Sequence, residues 1–455
     1  MYKELSQAEI DNYFESVSEK IEIKNRFRPG SYDRYNVKRG LRNEDGTGVL
    51  VGLTEIGDVH AYIIDENEKI PVEGRLIYRG IDIYDLVNGF ISENRFGFEE
   101  CVYLLLYGEL PNEAELEQFK NILAYNRKVP DDFVRSNILS APSPDVMNKL
   151  ARLVLVMYSY DKNPDDTSAK NLLRQSAELI SKFPIMAAYG YQAKSHYLDG
   201  NSLYIHNPDP KLSTAETILK LLRPSGEYTD LEAKVLDLAL VLHAEHGGGN
   251  NSTFTAHVVA STGTDIYSSI AAAIGGLKGP KHGGANNKVI GMMSAIKREV
   301  KDWESDDQIR DYIAKIVKKE AFDRTGLIYG MGHAVYTLSD PRCILLKNMA
   351  EKLAKQVART DEFELYKRVE RLAPEVFKEI RHFDKPMCAN VDFYSGFVYD
   401  LLGIPMEMNT PIFATARIAG WCAHIIEEHL NGGKIIRPAY KNIKRHAEYK
   451  KLSER

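Results

Sequence analysis

The run Leu231–Asn250, LEAKVLDLALVLHAEHGGGN, decides how this chain is read. Between Leu231 and His243 apolar residues fall on nearly every side of a 3.6-residue period, the pattern of a buried helix rather than of one lying on a surface. Thr229 and Glu232 form a capping-box signature just ahead of it, and Gly247, Gly248 and Gly249 break it. A second run, Ser268–Pro280 (SSIAAAIGGLKGP), reads as a helix of small residues broken by Pro280. Both helices end in polar, glycine-rich text, which is where chemistry is to be sought.

Upstream, residues 6–21 place Ile10, Phe14, Val17 and Ile21 at helical spacing behind a Ser6 cap, so residues 1–48 read as a peripheral helical arm. From Val49 to Gly80, the residues Gly52, Gly57, Pro71 and Gly74 punctuate runs such as VHAYII and RLIYRG, which read as small strands and turns. Helical periodicity then takes over, with helix stops expected at Gly108 and Pro184 and a further capping box at Ser213 with Glu216. More amphipathic helices follow His282, including one opened by Ser305 and Gln308. Thr410-Pro411 starts another that runs to Asn431-Gly432-Gly433, ahead of a basic tail from Tyr440.

At 455 residues the chain exceeds what one hydrophobic core usually holds. The expected fold is mainly α: a large helical domain from residues 49–281 and 387–455, a smaller helical domain from 282–386, and a few short N-terminal β-strands. The hydrophobic fraction of 44% and charged fraction of 27% are those of a globular protein. A net charge of -5 gives no footprint for nucleic acid, and no apolar run is long enough for a membrane span. Cys101, Cys343, Cys388 and Cys422 are scattered, which suits reduced structural thiols. The polar, mixed-charge N-terminus lacks signal or transit character, so a cytoplasmic location is expected.

Four segments carry polar residues where core or turn would be expected: LHAEHGGGNNS, GPKHGGANN, YGMGHAVYTLSDPR and NVDFYSG. Three set histidine beside glycine, pairing a side chain that exchanges protons near neutral pH with backbone that can approach a ligand closely. Any single histidine is more often a hydrogen-bonded core or surface residue. His243 and His246 could share a metal, but HAEH is not HExxH and no neighbouring Cys, His or carboxylate completes a site, so no metal is expected. Neither GxGxxG after a strand, GxxxxGK[ST] nor GxSxG occurs, which removes the anchors for Rossmann, P-loop and serine-hydrolase readings.

GPKHGGAN, GMGHAVY followed by DPR, and NVDFYSG, in that order, resemble the three catalytic signatures of the citrate synthases. LHAEHGGGN resembles that family's substrate-histidine segment and RLIYRGIDI its N-terminal landmark, so the likeness covers most of the chain after about residue 45. It implies a catalytic set of His282, His333 and Asp392, with His246, Arg342 and Arg417 around oxaloacetate and His243 structural. Arg437, in KIIRP, matches an arginine that the family contributes from the partner subunit, which implies an obligate homodimer. The backbone from Leu327 through Gly330, Met331 and Gly332 would cradle the adenine of CoA. Acetyl-CoA is then a cosubstrate, with no permanently bound cofactor. The family often has a basic residue for CoA phosphate four positions after His333, where this chain has Thr337.

The residue types suit a condensation. Asp392 would take the weakly acidic methyl proton beside a thioester while His282 donates to the thioester oxygen, where enolate charge develops. His333 would donate to the ketone oxygen of oxaloacetate, and guanidinium groups would hold its two carboxylates; Arg342 ranks first because DPR lies nearest His333. Asp392 could equally be a helix-cap aspartate on its sequence alone. Two other functions stay open: a 2-methylcitrate synthase using propionyl-CoA, since a pocket discriminates one methylene by only about 1–3 kcal/mol, and a catalytically silent CoA-binding regulator on the same fold.

Overall fold

The computed structural model describes residues 6–43, 46–66, 68–382, 385–444, 447–449 and 451–454. It divides into two compact units, one of residues 1–52 with 437–455 and one of residues 53–436. The first contains the arm helix Gln7–Asn25, opened by the expected Ser6 cap in a full capping box with Glu9. Phe14 and Ile21, expected on its apolar face, are exposed.

The second unit begins with an antiparallel ribbon, β1 (Gly57–Asp65) against β2 (Glu68–Tyr78), with β3 (Ile81–Asp82) at the edge of β2. Pro71 and Gly74, expected as breaks between strands, lie inside β2. Pro71 is tolerated because β3 pairs only with Ile77 and Tyr78, so β2 has an open edge there and the missing N–H removes no bond on that side. Gly74 is required by close approach: a Cβ there would stand 2.2 Å from Ser339 O and 2.6 Å from Tyr336 Cδ1. The ribbon thus buttresses the Tyr336–Ser339 turn, and Gly74 N–H donates to Ser339 Oγ at 3.1 Å.

Nine helices carry the argument: α1 (Ala169–Tyr197), α2 (Asp230–His243), α3 (Asn251–Ala260), α4 (Ile266–Lys278), α5 (Ala285–Glu299), α6 (Pro341–Gln356), α7 (Thr360–Arg381), α8 (Val391–Leu401) and α9 (Asn409–Leu430). The capping boxes at Ser213 and Thr229 and the Ser305 cap are present, and Gly108 ends its helix at φ +87°. Pro184 does not end α1, which continues through it to Tyr197. An internal proline costs a helix about 3 kcal/mol. Ile180, Phe183, Ile185 and Met186 flank it in the core, each gaining about 1.5–3 kcal/mol from full burial, so packing outweighs the break.

Helix α9 is buried at every residue from Asn409 to Ile426 and packs on α1, α2, α3 and α4. Helix α8 packs on α5 and α6, and α6 on α2. Pro411 lies in the first turn of α9. Thr410 Oγ1 donates to Gly283 O at 2.9 Å, which ties that helix start to the loop carrying His282. All four cysteines are unpaired, and Cys101, Cys343 and Cys422 are buried. No helix among the described residues is long and apolar enough to cross a membrane.

Candidate active site

His246 stands in the loop where α2 gives out. The backbone there is pinned from below: Tyr78 Oη lies 3.0 Å from both Val241 O and Glu245 O. Gly247, at φ +80°, lets the chain turn sharply past it. His246 is 9% exposed, and its Nε2 is buried without a hydrogen-bond partner. Burial, and after it the positive fields of Arg342, His333, Arg417 and His282, hold its pKa well below the ordinary histidine value, so it is neutral. Four of the expected site residues thus lie close enough to act on this one ring.

On one side of His246 lies a cluster built on Tyr336. The His333 ring is 5.2 Å from His246 and stacks on Tyr336 at 4.8 Å, while Arg342 Cζ sits 5.6 Å from the Tyr336 centroid. His333 Nδ1 accepts from both Val335 N–H and Tyr336 N–H at 3.1 Å. An imidazole nitrogen accepting two amides carries no proton, so the ring proton resides on Nε2 and that atom is a donor. Asn390 then links this turn to Asp392: its N–H donates to Gly330 O at 2.9 Å and its Nδ2 to Gly332 O at 2.7 Å, while its Oδ1 accepts from Asp392 N–H at 3.0 Å. The helix cap in NVDFYSG is therefore Asn390, and Asp392 is free of that duty.

Asp392 is partly accessible, and burial raises its pKa to about 6 against the opposing field of Arg342. Gly330 and Gly332 hold positive φ, +77° and +82°. The amides of Met331 and Gly332 already donate to Ile328 O and Cys388 O. This turn holds the bases of His333 and Asp392 together.

Asp340, overlooked in the sequence beyond its place in DPR, organises Arg342. Its carboxylate accepts Arg342 Nε at 3.0 Å and Nη2 at 2.7 Å, and Val391 N–H at 3.2 Å. Burial opposes the charge on Arg342, but Asp340 outweighs it and raises the guanidinium pKa. Arg342 is thus oriented and largely neutralised by its own neighbour.

On the other side of His246, α9 presents Arg417, which is 0% exposed. Its Nε donates to His243 O at 2.7 Å and its Cζ lies 4.8 Å from the Phe413 ring centroid, yet Nη1 and Nη2 find no acceptor in the protein. Burial pulls its pKa down to about 10. The His282 ring is 6.4 Å from Phe413, and its Nε2 is 3.1 Å from Asn250 Oδ1 and 3.2 Å from Ser252 Oγ, which in turn accepts from Trp421 Nε1–H. Burial and Arg417 lower the His282 pKa to about 4. His243 Nδ1 faces Ala239 O at 2.7 Å, as in a core histidine. Arg437 is exposed and belongs to the other compact unit.

Asn250, Ser252, Glu245 and Tyr336 were not singled out from the sequence. Asn250 and Ser252 sit inside the quoted HGGGNNS text; Glu245, between two marked histidines at the end of a buried helix, was the stronger missed signal.

The sequence model described as "Citrate synthase, C-terminal domain" matches residues 45–439. The citrate synthase of Haloferax volcanii is 35% identical over 410 residues, covering 88% of this chain and 94% of that one. The 2-methylcitrate synthase of Shewanella oneidensis is 34% identical over 368 residues, covering 80% and 87%. Among solved structures, the ternary complex of carboxymethyl coenzyme A and oxaloacetate with the citrate synthase of Thermoplasma acidophilum superposes with a TM-score of 0.74 at 26% identity, over 92% of this chain and 99% of that one. Helical architecture, the gathered histidines and arginines, and a match spanning most of the length agree: the chain belongs to the citrate synthase family.

Proposed function

We propose that this chain condenses acetyl-CoA with oxaloacetate through an enolate and hydrolyses the resulting citryl-CoA to citrate and CoA. The observation that carries the reading is Arg417: a fully buried cation whose two terminal nitrogens lack protein acceptors, beside an equally unpartnered His246 Nε2. A buried, unpaired guanidinium is costly unless a ligand supplies the anion, and a dicarboxylate does so bidentately.

In this reading Arg417, Arg342 and His246 hold oxaloacetate, and His333 Nε2–H donates to its ketone oxygen. The Asp392 carboxylate takes the methyl proton of acetyl-CoA. His282 donates to the thioester oxygen, its ring oriented through Nε2 by Asn250 and Ser252. The enolate carbon bonds to the ketone carbon, the alkoxide oxygen is protonated, and water cleaves the thioester to release CoA. Acetyl-CoA enters as cosubstrate and CoA leaves as product, and the steps call for no resident metal.

Asp392 works only when ionised. With a pKa of about 6, kcat/KM is expected to fall about tenfold per pH unit below that value and to level off above it. A pH profile flat down to pH 5 would mean that another group is the base.

The direct test measures free CoA thiol from purified protein with oxaloacetate and either acetyl-CoA or propionyl-CoA, with a chelator present. Release from acetyl-CoA supports the reading, and silence with both thioesters refutes it. A higher kcat/KM with propionyl-CoA would favour 2-methylcitrate synthesis, which the Shewanella oneidensis relative brings forward as the second reading.

Residues 282–386 are proposed to close over oxaloacetate before acetyl-CoA binds, keeping water from the enolate. Small-angle scattering should contract with oxaloacetate; superimposable profiles count against closure. Arg437 is proposed to complete the site of a partner copy. Mixed, re-assorted Asp392→Asn and Arg437→Met chains, each inactive alone, should then recover about a quarter of wild-type activity, since half the dimers would hold one intact site. No recovery would place Arg437 in its own chain's site or outside both.

A further inference from the structure

We propose that His257, His424 and Glu427 form a binding site for a divalent transition-metal ion of the zinc type, apart from the condensing residues. Among the described residues this is the one place where three such side chains bring ligand atoms together: His257 Nε2, His424 Nδ1 and Glu427 Oε2 all lie within 4.8 Å of one another. His257 comes from α3, and His424 and Glu427 from adjacent turns of α9. The two ring nitrogens are 3.1 Å apart, and His424 Nδ1 is 3.7 Å from Glu427 Oε2. A tetrahedral ion with bonds near 2.0–2.1 Å spaces its ligand atoms by about 3.3 Å, so the imidazoles need little movement and the Glu427 carboxylate closes in on His257 by up to about 1.5 Å.

The surroundings point the same way. Each histidine turns its other nitrogen to a carboxylate, His257 Nδ1 to Glu428 Oε2 at 2.9 Å and His424 Nε2 to Glu245 Oε1 at 3.0 Å. Such outer carboxylates fix the tautomer and orientation of metal-binding imidazoles. Glu427 Oε1 is held by Glu55 N–H at 2.8 Å, and its buried Oε2 faces His424 Nδ1 at 3.7 Å. The ion pairs that Glu245, Glu427 and Glu428 make among the described residues are all with these two histidines.

A proton shared between the imidazoles would account for their 3.1 Å separation. It would not by itself bring a third ligand atom, from Glu427, to within 4.8 Å of both imidazole nitrogens. When the ion binds, the shared proton leaves to solvent and both imidazoles are neutral ligands, with water in the fourth position. Imidazole nitrogens with one carboxylate favour zinc, cobalt, nickel or copper over magnesium or calcium. Glu245 also accepts from Gly247 N–H, so occupancy bears directly on the loop that carries His246.

Chelator-stripped, tag-free full-length protein titrated with Co(II) should develop the intense visible bands of a low-coordinate site, saturating at one ion per chain and bleached by Zn(II). His257→Gln should abolish them. Glu428→Gln, which removes only an outer carboxylate, should weaken Co(II) binding about 10–100-fold while circular dichroism stays native. Absence of saturable bands, a pale octahedral spectrum, or Co(II) affinity unchanged in Glu428→Gln would overturn the site and leave the shared proton as the explanation.

Discussion

Protein carrying Asp392→Asn is expected to bind oxaloacetate as the parent does and to lose about 10²–10⁴-fold in kcat, the usual contribution of a positioned general base. Asn390, not Asp392, caps α8, and Asp340, not Asp392, holds Arg342. The carboxylate can thus be replaced without unmaking either arrangement. The substitution also has a stability signature. The folded-state pKa, about 6, lies above the unfolded value near 4, so the native state takes up this proton first as pH falls, and the ionised group costs stability above about pH 6. Asp392→Asn should therefore raise the melting temperature at pH 8 and change it little at pH 4. Calorimetry for oxaloacetate, CoA release and thermal melts together check this; full turnover in the variant, or a lowered melting temperature at pH 8 with oxaloacetate binding lost, would sink it.

The second large effect concerns Arg417→Met. Removing one partner of a buried charged hydrogen-bonded pair costs about 2–5 kcal/mol, so oxaloacetate affinity should fall by roughly 30- to several thousand-fold. In the ligand-free protein the sign reverses. Arg417 is fully buried with two nitrogens unpartnered, and exchanging such a charge for an apolar chain of similar length relieves a desolvation penalty. The loss of its bond to His243 O works against this relief, so the ligand-free melting temperature should hold level or rise. Stabilisation by saturating oxaloacetate, expected of the parent, should vanish. A variant that melts several degrees lower yet keeps its oxaloacetate affinity would show Arg417 to be a structural residue.

Much of the fold was legible because its signals are local. Capping pairs such as Ser213 with Glu216 act within one turn, and the break after His243 is written in consecutive glycines. Pro184 and Pro71 misled for the same reason: each is a local breaker whose effect is cancelled by something distant, the packed flanks of α1 in one case and an open strand edge in the other. Placing His282, His333 and Asp392 rested on ordered motifs. The groups that hold them in place could not be read that way. Asp340 orients an arginine that its sequence position had ranked first for substrate, and Asn250 and Ser252, the latter held by Trp421, meet His282 only through the packing of α3 against α4 and α9. Contacts of this kind leave no spacing behind.

Gly420 has a bearing on the order of events. Its N–H donates to Ala244 O at 3.2 Å, and a Cβ there would lie 2.5 Å from that oxygen and 2.3 Å from Glu245 Oε2. The α9 backbone is therefore welded to the loop bearing His246, one turn away from Arg417. Arg417 and His246 are thereby joined through one tight backbone contact. On the proposed function the dicarboxylate would land on this half-socket first and the thioester would wait for the rest to be brought to it, so a methyl group at position 420 should unseat the first arrival while touching neither reactant.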